Sequence, residues 1–201
     1  MIVCGRAEAE RKIGLFAEQL CGCPSEGFFC IKKFVGTDGL SVLHNQIAAV
    51  PFRPLVQENV LWRHEVIGLK GSILRIPELE EFVSHIREAI HDFRELAVER
   101  HAFRYEIGQS LPPHRDKVRH KITAILYFGE FLGGEFSFEV NNRKKYLVLS
   151  GGDVIISVNE LPDGPVLNPI HWVKEIRKGT RYCSVVSYVS EKTSPSEELF
   201  E

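Results

Sequence analysis

The second half of this chain is a succession of short β-rich runs, and no other feature restricts its fold as much. FRYEI, KITAILYF, EFSFEV, KKYLVL, DVIISV and TRYCSVVSYV follow one another between Phe103 and Val189. Asn141-Asn142, Gly151-Gly152 and Pro162-Asp163-Gly164 supply residues that accept tight turns between them. EFSFEV alternates cleanly and puts Phe136 and Phe138 on one face. Many short strands at this spacing predict a barrel or a double-sheet jelly roll.

Before residue 100 the patterns are mostly helical. Residues 7–20 predict a helix with Ile13, Phe16, Ala17 and Leu20 on one face, stopped by Gly22 and Pro24. FFCIKKF (28–34) predicts a short strand. Residues 35–76, interrupted by Pro51, Pro54, Gly68 and Gly71, give no clear period. The strongest helix is PELEEFVSHIREAIHDFRELA, over 77–97. Pro77 suits its first turn, Glu78, Glu80 and Glu81 sit at the positive end of its dipole, and Leu79, Phe82, Val83, Ile86, Ile90, Phe93 and Ala97 form one stripe. Such a stripe needs a broad apolar partner, for which a sheet is the natural choice. Helices first and strands later predict α+β rather than a doubly wound sheet: a double-stranded β-helix (jelly roll), with helices from the N-terminal half packed on one face.

With 201 residues and 44% apolar content, the chain suits a single domain. Within it, 1–100 is expected to be a mainly helical support region, 101–190 the jelly-roll core, and 191–201 a frayed tail. The 25 Lys+Arg against 27 Asp+Glu give a net charge of −2, too small to attract nucleic acid or an anionic membrane by itself. No apolar run is long enough to span a bilayer, and MIVCGRAEAERK does not resemble a secretory leader. Five cysteines, Cys4, Cys21, Cys23, Cys30 and Cys183, are an odd number. With no leader in sight, the odd number predicts free thiols in a reducing, cytoplasmic setting, and the spacing does not match paired zinc knuckles.

The chemistry is concentrated in Pro112-Pro113-His114-Arg115-Asp116. In an extended segment, residues two apart point the same way, so His114 and Asp116 can take adjacent positions on one metal ion. His171 is the candidate third ligand. Two histidines and one carboxylate on one face of an octahedral ion form the facial triad of non-haem Fe(II) oxygenases, with the other positions open. Arg181, ten residues after His171, can hold a carboxylate through a bidentate pair. A dicarboxylate whose far end chelates the metal would use both features.

From about Phe103 to Val189 the sequence resembles the 2-oxoglutarate- and Fe(II)-dependent dioxygenases, in particular their prolyl 4-hydroxylase-like branch. FRYEIGQSLPPHRD, ITAILYFGEFLGGEFSF, YLVLSGGDVIISV and HWVKEIRKGTRYCSVVSYV carry the resemblance, in the family's order. It implies that His114, Asp116 and His171 hold Fe(II) and that Arg181 pairs with the distal carboxylate of 2-oxoglutarate. It also implies that Tyr127 hydrogen-bonds that carboxylate and that Tyr105 faces the co-substrate. Ser184 and Ser187 are both candidates for a hydroxyl that the family often places near the arginine. Gly133-Gly134-Glu135 matches the family's GGE turn. Related halogenases lack the carboxylate ligand. With Asp116 present, the implied outcome is hydroxylation with O₂, 2-oxoglutarate giving succinate and CO₂, and ascorbate as a candidate reductant.

The implied substrate is a small molecule, an amino acid or a peptide side chain. Two alternatives are an AlkB-type demethylase of nucleic-acid bases and a jelly-roll protein that binds a metal or ligand without turnover. The first is disfavoured because no arginine follows Arg181. The basic clusters Arg115/Lys117/Arg119/Lys121, Arg143/Lys144/Lys145 and Lys174/Arg177/Lys178 read as solvated faces, or else as a rim for an anionic substrate. Trp172 is expected to pack near the metal, His85 and His91 to be solvated, and His120 to face solvent or the rim. His44, His64 and His101 are open candidates for the mouth.

Overall fold

The computed structural model describes residues 2–5, 28–47, 50–57, 60–67, 76–89, 96–117, 119–159 and 168–190. Before residue 100 the chain forms β1 (Ile2–Gly5), β2 (Phe28–Lys32), α1 (Thr37–Ile47), β3 (Arg53–Gln57), β4 (Val60–Ile67) and α2 (Pro77–Ala89). It continues as β5 (Ala97–Tyr105), β6 (Leu111–His114), β7 (His120–Phe128), β8 (Phe131–Gly133), β9 (Phe136–Val140) and β10 (Arg143–Leu147). The last elements are β11 (Val154–Val158), β12 (His171–Val173), β13 (Ile176–Gly179) and β14 (Arg181–Val189).

Two sheets face each other. The large one has eight strands in the order β1-β2-β11-β7-β14-β5-β4-β3, and the small one four in the order β10-β9-β12-β6. From β5 onward the chain passes repeatedly between them, which is the double-stranded β-helix. The β9–β10 hairpin closes on Asn141-Asn142 with φ of 51° and 58°, a two-residue turn that asparagine tolerates and that matches strand twist.

The centre of the large sheet is buried on both faces, which explains why strands β7, β11 and β14 read as nearly continuous apolar runs. Ile122, Ala124, Leu126 and Phe128 of β7, with Val154, Ile156 and Val158 of β11, pack under the helices. Tyr127 and Ile155 face the small sheet, where they meet Phe136 and Phe138. β2 divides in the same way, Phe29 and Ile31 toward the helices, Phe28 and Cys30 inward. The α2 stripe Leu79, Phe82, Val83 and Ile86 is buried on the sheet. Arg100 of β5 fixes α2 further, donating to both carboxylate oxygens of Glu80 at 2.9 and 2.8 Å. That hydrogen-bonded pair raises the Arg100 pKa.

Some expectations need correction. Among the described residues, the region before residue 100 contributes β1–β4 and the start of β5 to the large sheet as well as two helices. Ala97 is not on the helix. It opens β5 opposite Val189 of β14, because nine residues of ladder there outweigh its helical spacing. Ile90, Phe93, His91, the 7–20 helix, Cys21, Cys23, the Pro162-Asp163-Gly164 turn and the 191–201 tail lie outside the described residues. Among the described residues no helix is long and apolar enough to cross a membrane. Cys30 and Cys183 are buried and not disulfide-bonded.

Candidate metal centre

His114 ends β6 and His171 opens β12, and the two residues are register partners across that antiparallel pair. Two residues after His114 comes Asp116. The pairing brings one candidate ligand atom from each side chain within 4.8 Å of the others. His171 Nε2 lies 3.6 Å from Asp116 Oδ1, and the imidazole centroids are 4.3 Å apart. No other group of three or more His, Cys, Asp or Glu converges in this way among the described residues.

Each histidine is oriented by the main-chain carbonyl two residues before it. The Nδ1 of His114 lies 2.9 Å from the Pro112 carbonyl, and that of His171 lies 3.1 Å from the Pro169 carbonyl. A carbonyl can only accept, so each Nδ1 carries a proton, and a metal would take the lone pair of each Nε2. Phe28 and Phe136 pack on the His171 ring, with centroids 5.5 and 5.6 Å away. The Asp116 backbone is held by Asn168, whose Oδ1 accepts from the Asp116 N–H at 3.0 Å and whose Nδ2 donates to the Asp116 carbonyl at 2.7 Å. Asn159 donates to Asp116 Oδ2 at 3.0 Å. Oδ1 is thereby left for a metal. Two neutral imidazoles and one carboxylate oxygen, with no thiolate, fit Fe(II).

The second half of the site is Arg181, the first residue of β14, at 0% exposure. Its guanidinium carbon sits 4.2 Å from the ring centroid of Tyr105 and 5.3 Å from that of Tyr127. Strand pairing accounts for this, since Arg181 is opposite Tyr105 on β5 and Tyr127 is opposite Cys183 on β7. Nη1 donates to the Gly134 carbonyl at 2.8 Å, while Nε and Nη2 have no partner. Those two nitrogens lie along one edge of the guanidinium, the fork that grips a carboxylate. A permanently charged, buried cation with that edge open fits a carboxylate ligand. Burial raises the Tyr127 pKa well above 10, with the Cys183 thiol beside it adding to the effect, so its hydroxyl stays a neutral donor.

Gly134 belongs to the GGE turn and has φ +64°. A Cβ there would come 2.4 Å from Ile176 Cδ1 and 3.0 Å from Arg181 Nη1, so glycine is what lets the backbone approach the guanidinium. Neither serine candidate stands beside Arg181 on β14. Strand alternation turns Ser184 to the helix-covered face, and Ser187 bonds Thr123 at 3.2 Å, six residues further along. Cys183 is the next residue on the Arg181 face.

Trp172 does not pack near the metal. Alternation turns it away from His171 to the outer face of the small sheet, where Lys144 Nζ lies 5.8 Å from its ring centroid. His101 and His120 lie at the rim, each with Nε2 3.7 Å from Glu99 Oε2, and burial lowers the His120 pKa. His44 is instead on α1, edge-on to Tyr182. His85 is exposed, as expected, while only the backbone of His64 is described. In the basic cluster around the triad, Arg119 is paired with Glu99 at 2.7 Å, while Arg115 keeps its charge and donates to the Asn168 carbonyl. The sequence reading did not single out Asn159 or Asn168.

No protein-family model and no curated protein matches this chain. Solved structures do. A Pseudomonas putida prolyl-4-hydroxylase is similar at TM-score 0.67 and 16% identity, over 90% of this chain and 100% of that one. A Trichoplax adhaerens prolyl hydroxylase, in complex with a peptide fragment of the hypoxia-inducible-factor oxygen degradation domain, gives 0.69 and 15% over 92% of each chain. The fold is that of the 2-oxoglutarate/Fe(II) oxygenases. A non-haem α-ketoglutarate-dependent epimerase from nogalamycin biosynthesis shares it, at TM-score 0.62 and 9% identity over 94% of this chain and 86% of that one. The triad fits Fe(II), and the open edge of Arg181 fits a carboxylate such as that of 2-oxoglutarate.

Proposed function

We propose that this protein is an Fe(II)- and 2-oxoglutarate-dependent dioxygenase that hydroxylates an unactivated C–H bond of a small molecule, an amino acid or a protein side chain. The observation that carries the reading is Arg181. It is fully buried between two tyrosines, with Nε and Nη2 unpaired, in the same inter-sheet core as the triad. A binding-only jelly roll has no need of that cation beside two histidines and a carboxylate.

His114, Asp116 and His171 would hold the iron. Bound together, iron and 2-oxoglutarate supply the oxidising power, with O₂ consumed and succinate and CO₂ released. Arg181 fixes the distal carboxylate through Nε and Nη2, Tyr127 donates to it, and the Tyr105 and Tyr127 rings exclude water from the pair. Cys183, Val185, Ile125 and Ile155 belong to the apolar core on the inner face of the large sheet, with Tyr105 and Tyr127.

A peptide side chain is supported as substrate by the Trichoplax relative, which is bound to a peptide. The epimerase shows that the fold also serves other outcomes; the intact carboxylate Asp116 supports hydroxylation over halogenation. The pairing of Arg119 with Glu99 leaves less free positive charge for a nucleic-acid backbone. Cys30 and Cys183, buried and without a disulfide, support the reading of a reducing, cytoplasmic location.

The test is iron-dependent 2-oxoglutarate turnover by wild type, Asp116→Ala and His171→Ala, in the presence of pooled amino acids and peptides. The variants are expected to keep the fold and lose turnover. Full activity in either would refute the ligand assignment.

A further inference from the structure

Asn159 is buried at 2% exposure, and its whole amide is used. Its Nδ2 donates to Asp116 Oδ2 at 3.0 Å and to the His120 carbonyl at 3.0 Å, and its Oδ1 accepts from the Ser157 hydroxyl. The orientation is therefore fixed, since a reversed amide would set its oxygen against the Asp116 carboxylate and the His120 carbonyl. Its backbone is fixed as well: Asn159 N–H donates to the Lys121 carbonyl, and Asn168 N–H to the Asn159 carbonyl. Asn168, in turn, clamps the Asp116 main chain from both sides.

A free carboxylate can bind a cation through one oxygen or through both. Here the two oxygens are not equivalent, since Oδ2 is held by Asn159 while Oδ1 faces His171 Nε2 at 3.6 Å. We propose that Asn159 is a positioning residue that restricts Asp116 to one-oxygen metal ligation. By occupying Oδ2 it stops the carboxylate from closing a coordination position that must stay available to other ligands. The inference rests on the metal reading above and extends it to a residue that never touches the ion.

The test is Co(II) binding to the purified full-length protein without oxygen or 2-oxoglutarate, followed by visible absorption, because the d–d bands report coordination number and geometry. Asn159→Ala is expected to shift those bands relative to wild type and to weaken Co(II) affinity about tenfold or more. A melting temperature of the metal-free variant that falls while the bands and affinity stay as in wild type would make the role purely structural and overturn the proposal. If Asn159→Ala does not fold, Ser157→Ala removes the hydroxyl that orients the amide. Its bands are expected to move the same way, by less, and unchanged bands would overturn the proposal. Failure of the metal reading looks different: wild type would then bind no Co(II), or Asp116→Ala would bind it as tightly as wild type.

Discussion

Replacing Arg181 by Met tests the logic of the site in two directions at once. With 2-oxoglutarate present, the substitution removes one partner of a buried, charge-assisted pair. Loss of such a partner costs about 2–5 kcal/mol, or about thirtyfold to several-thousandfold in affinity. Without 2-oxoglutarate, Arg181 makes one side-chain hydrogen bond, to the Gly134 carbonyl, and leaves Nε and Nη2 unpaired. Removing it forfeits that bond but relieves the burial of an uncompensated charge, so the ligand-free protein should change by no more than about 1 kcal/mol. Thermal unfolding of Co(II)-loaded protein separates the two effects. At a 2-oxoglutarate concentration of about a hundred times Kd, wild type gains about 2.7 kcal/mol, or about 5–10 °C in a chain of this size. The Met variant should start near the wild-type melting temperature and gain almost nothing at the same concentration. Arg181→Lys should also lose most of the gain, because an ammonium cannot reproduce the fork. The reasoning is refuted if Arg181→Met responds to 2-oxoglutarate as wild type does. It is refuted equally if the ligand-free variant melts far lower, as it would if Arg181 were a structural ion-pair partner.

Two further substitutions probe the surroundings of that arginine. Gly134→Ala places a methyl 2.4 Å from Ile176 Cδ1 at φ +64°. It should lower stability by more than about 1 kcal/mol and weaken 2-oxoglutarate binding, and a urea titration with a binding isotherm would show both. Tyr127 is kept protonated by burial. Above pH 10 the unfolded chain releases a proton there that the folded chain keeps, so stability falls as pH rises toward the folded-state value. Tyr127→Phe should flatten the stability curve above pH 10 and leave it unchanged near neutrality. An identical alkaline slope in both proteins would contradict the assignment.

The β-helix was legible because burial on two faces imposes apolar runs on β7, β11 and β14, and because Asn141-Asn142 marks a hairpin without ambiguity. The HxD pair was legible for a local reason: two residues on one extended segment need no tertiary information to share a face. What sequence did not reveal depends on distant partners. α1, β3 and β4 fall in a stretch broken by Pro51 and Pro54. β4 pairs with β5 on one side and on the other with β3, the edge strand. β6 has only four residues, two of them proline, and it is a strand because its neighbour β12 makes it one. Ala97 fits a helical stripe by spacing, yet the ladder with β14 claims it. Asn159 and Asn168 carry no signal of their own. Their role exists only because the fold returns them to Asp116, 43 and 52 positions away in sequence.

The most direct test of the account is succinate formation from 2-oxoglutarate by the purified protein with Fe(II), ascorbate and O₂, in parallel with Asp116→Ala and Arg181→Met. The account predicts iron-dependent succinate from wild type, raised by one class of added substrate. It predicts none from Asp116→Ala, and recovery in Arg181→Met only at far higher 2-oxoglutarate. Wild-type protein with iron bound that releases no succinate under any substrate pool would contradict it.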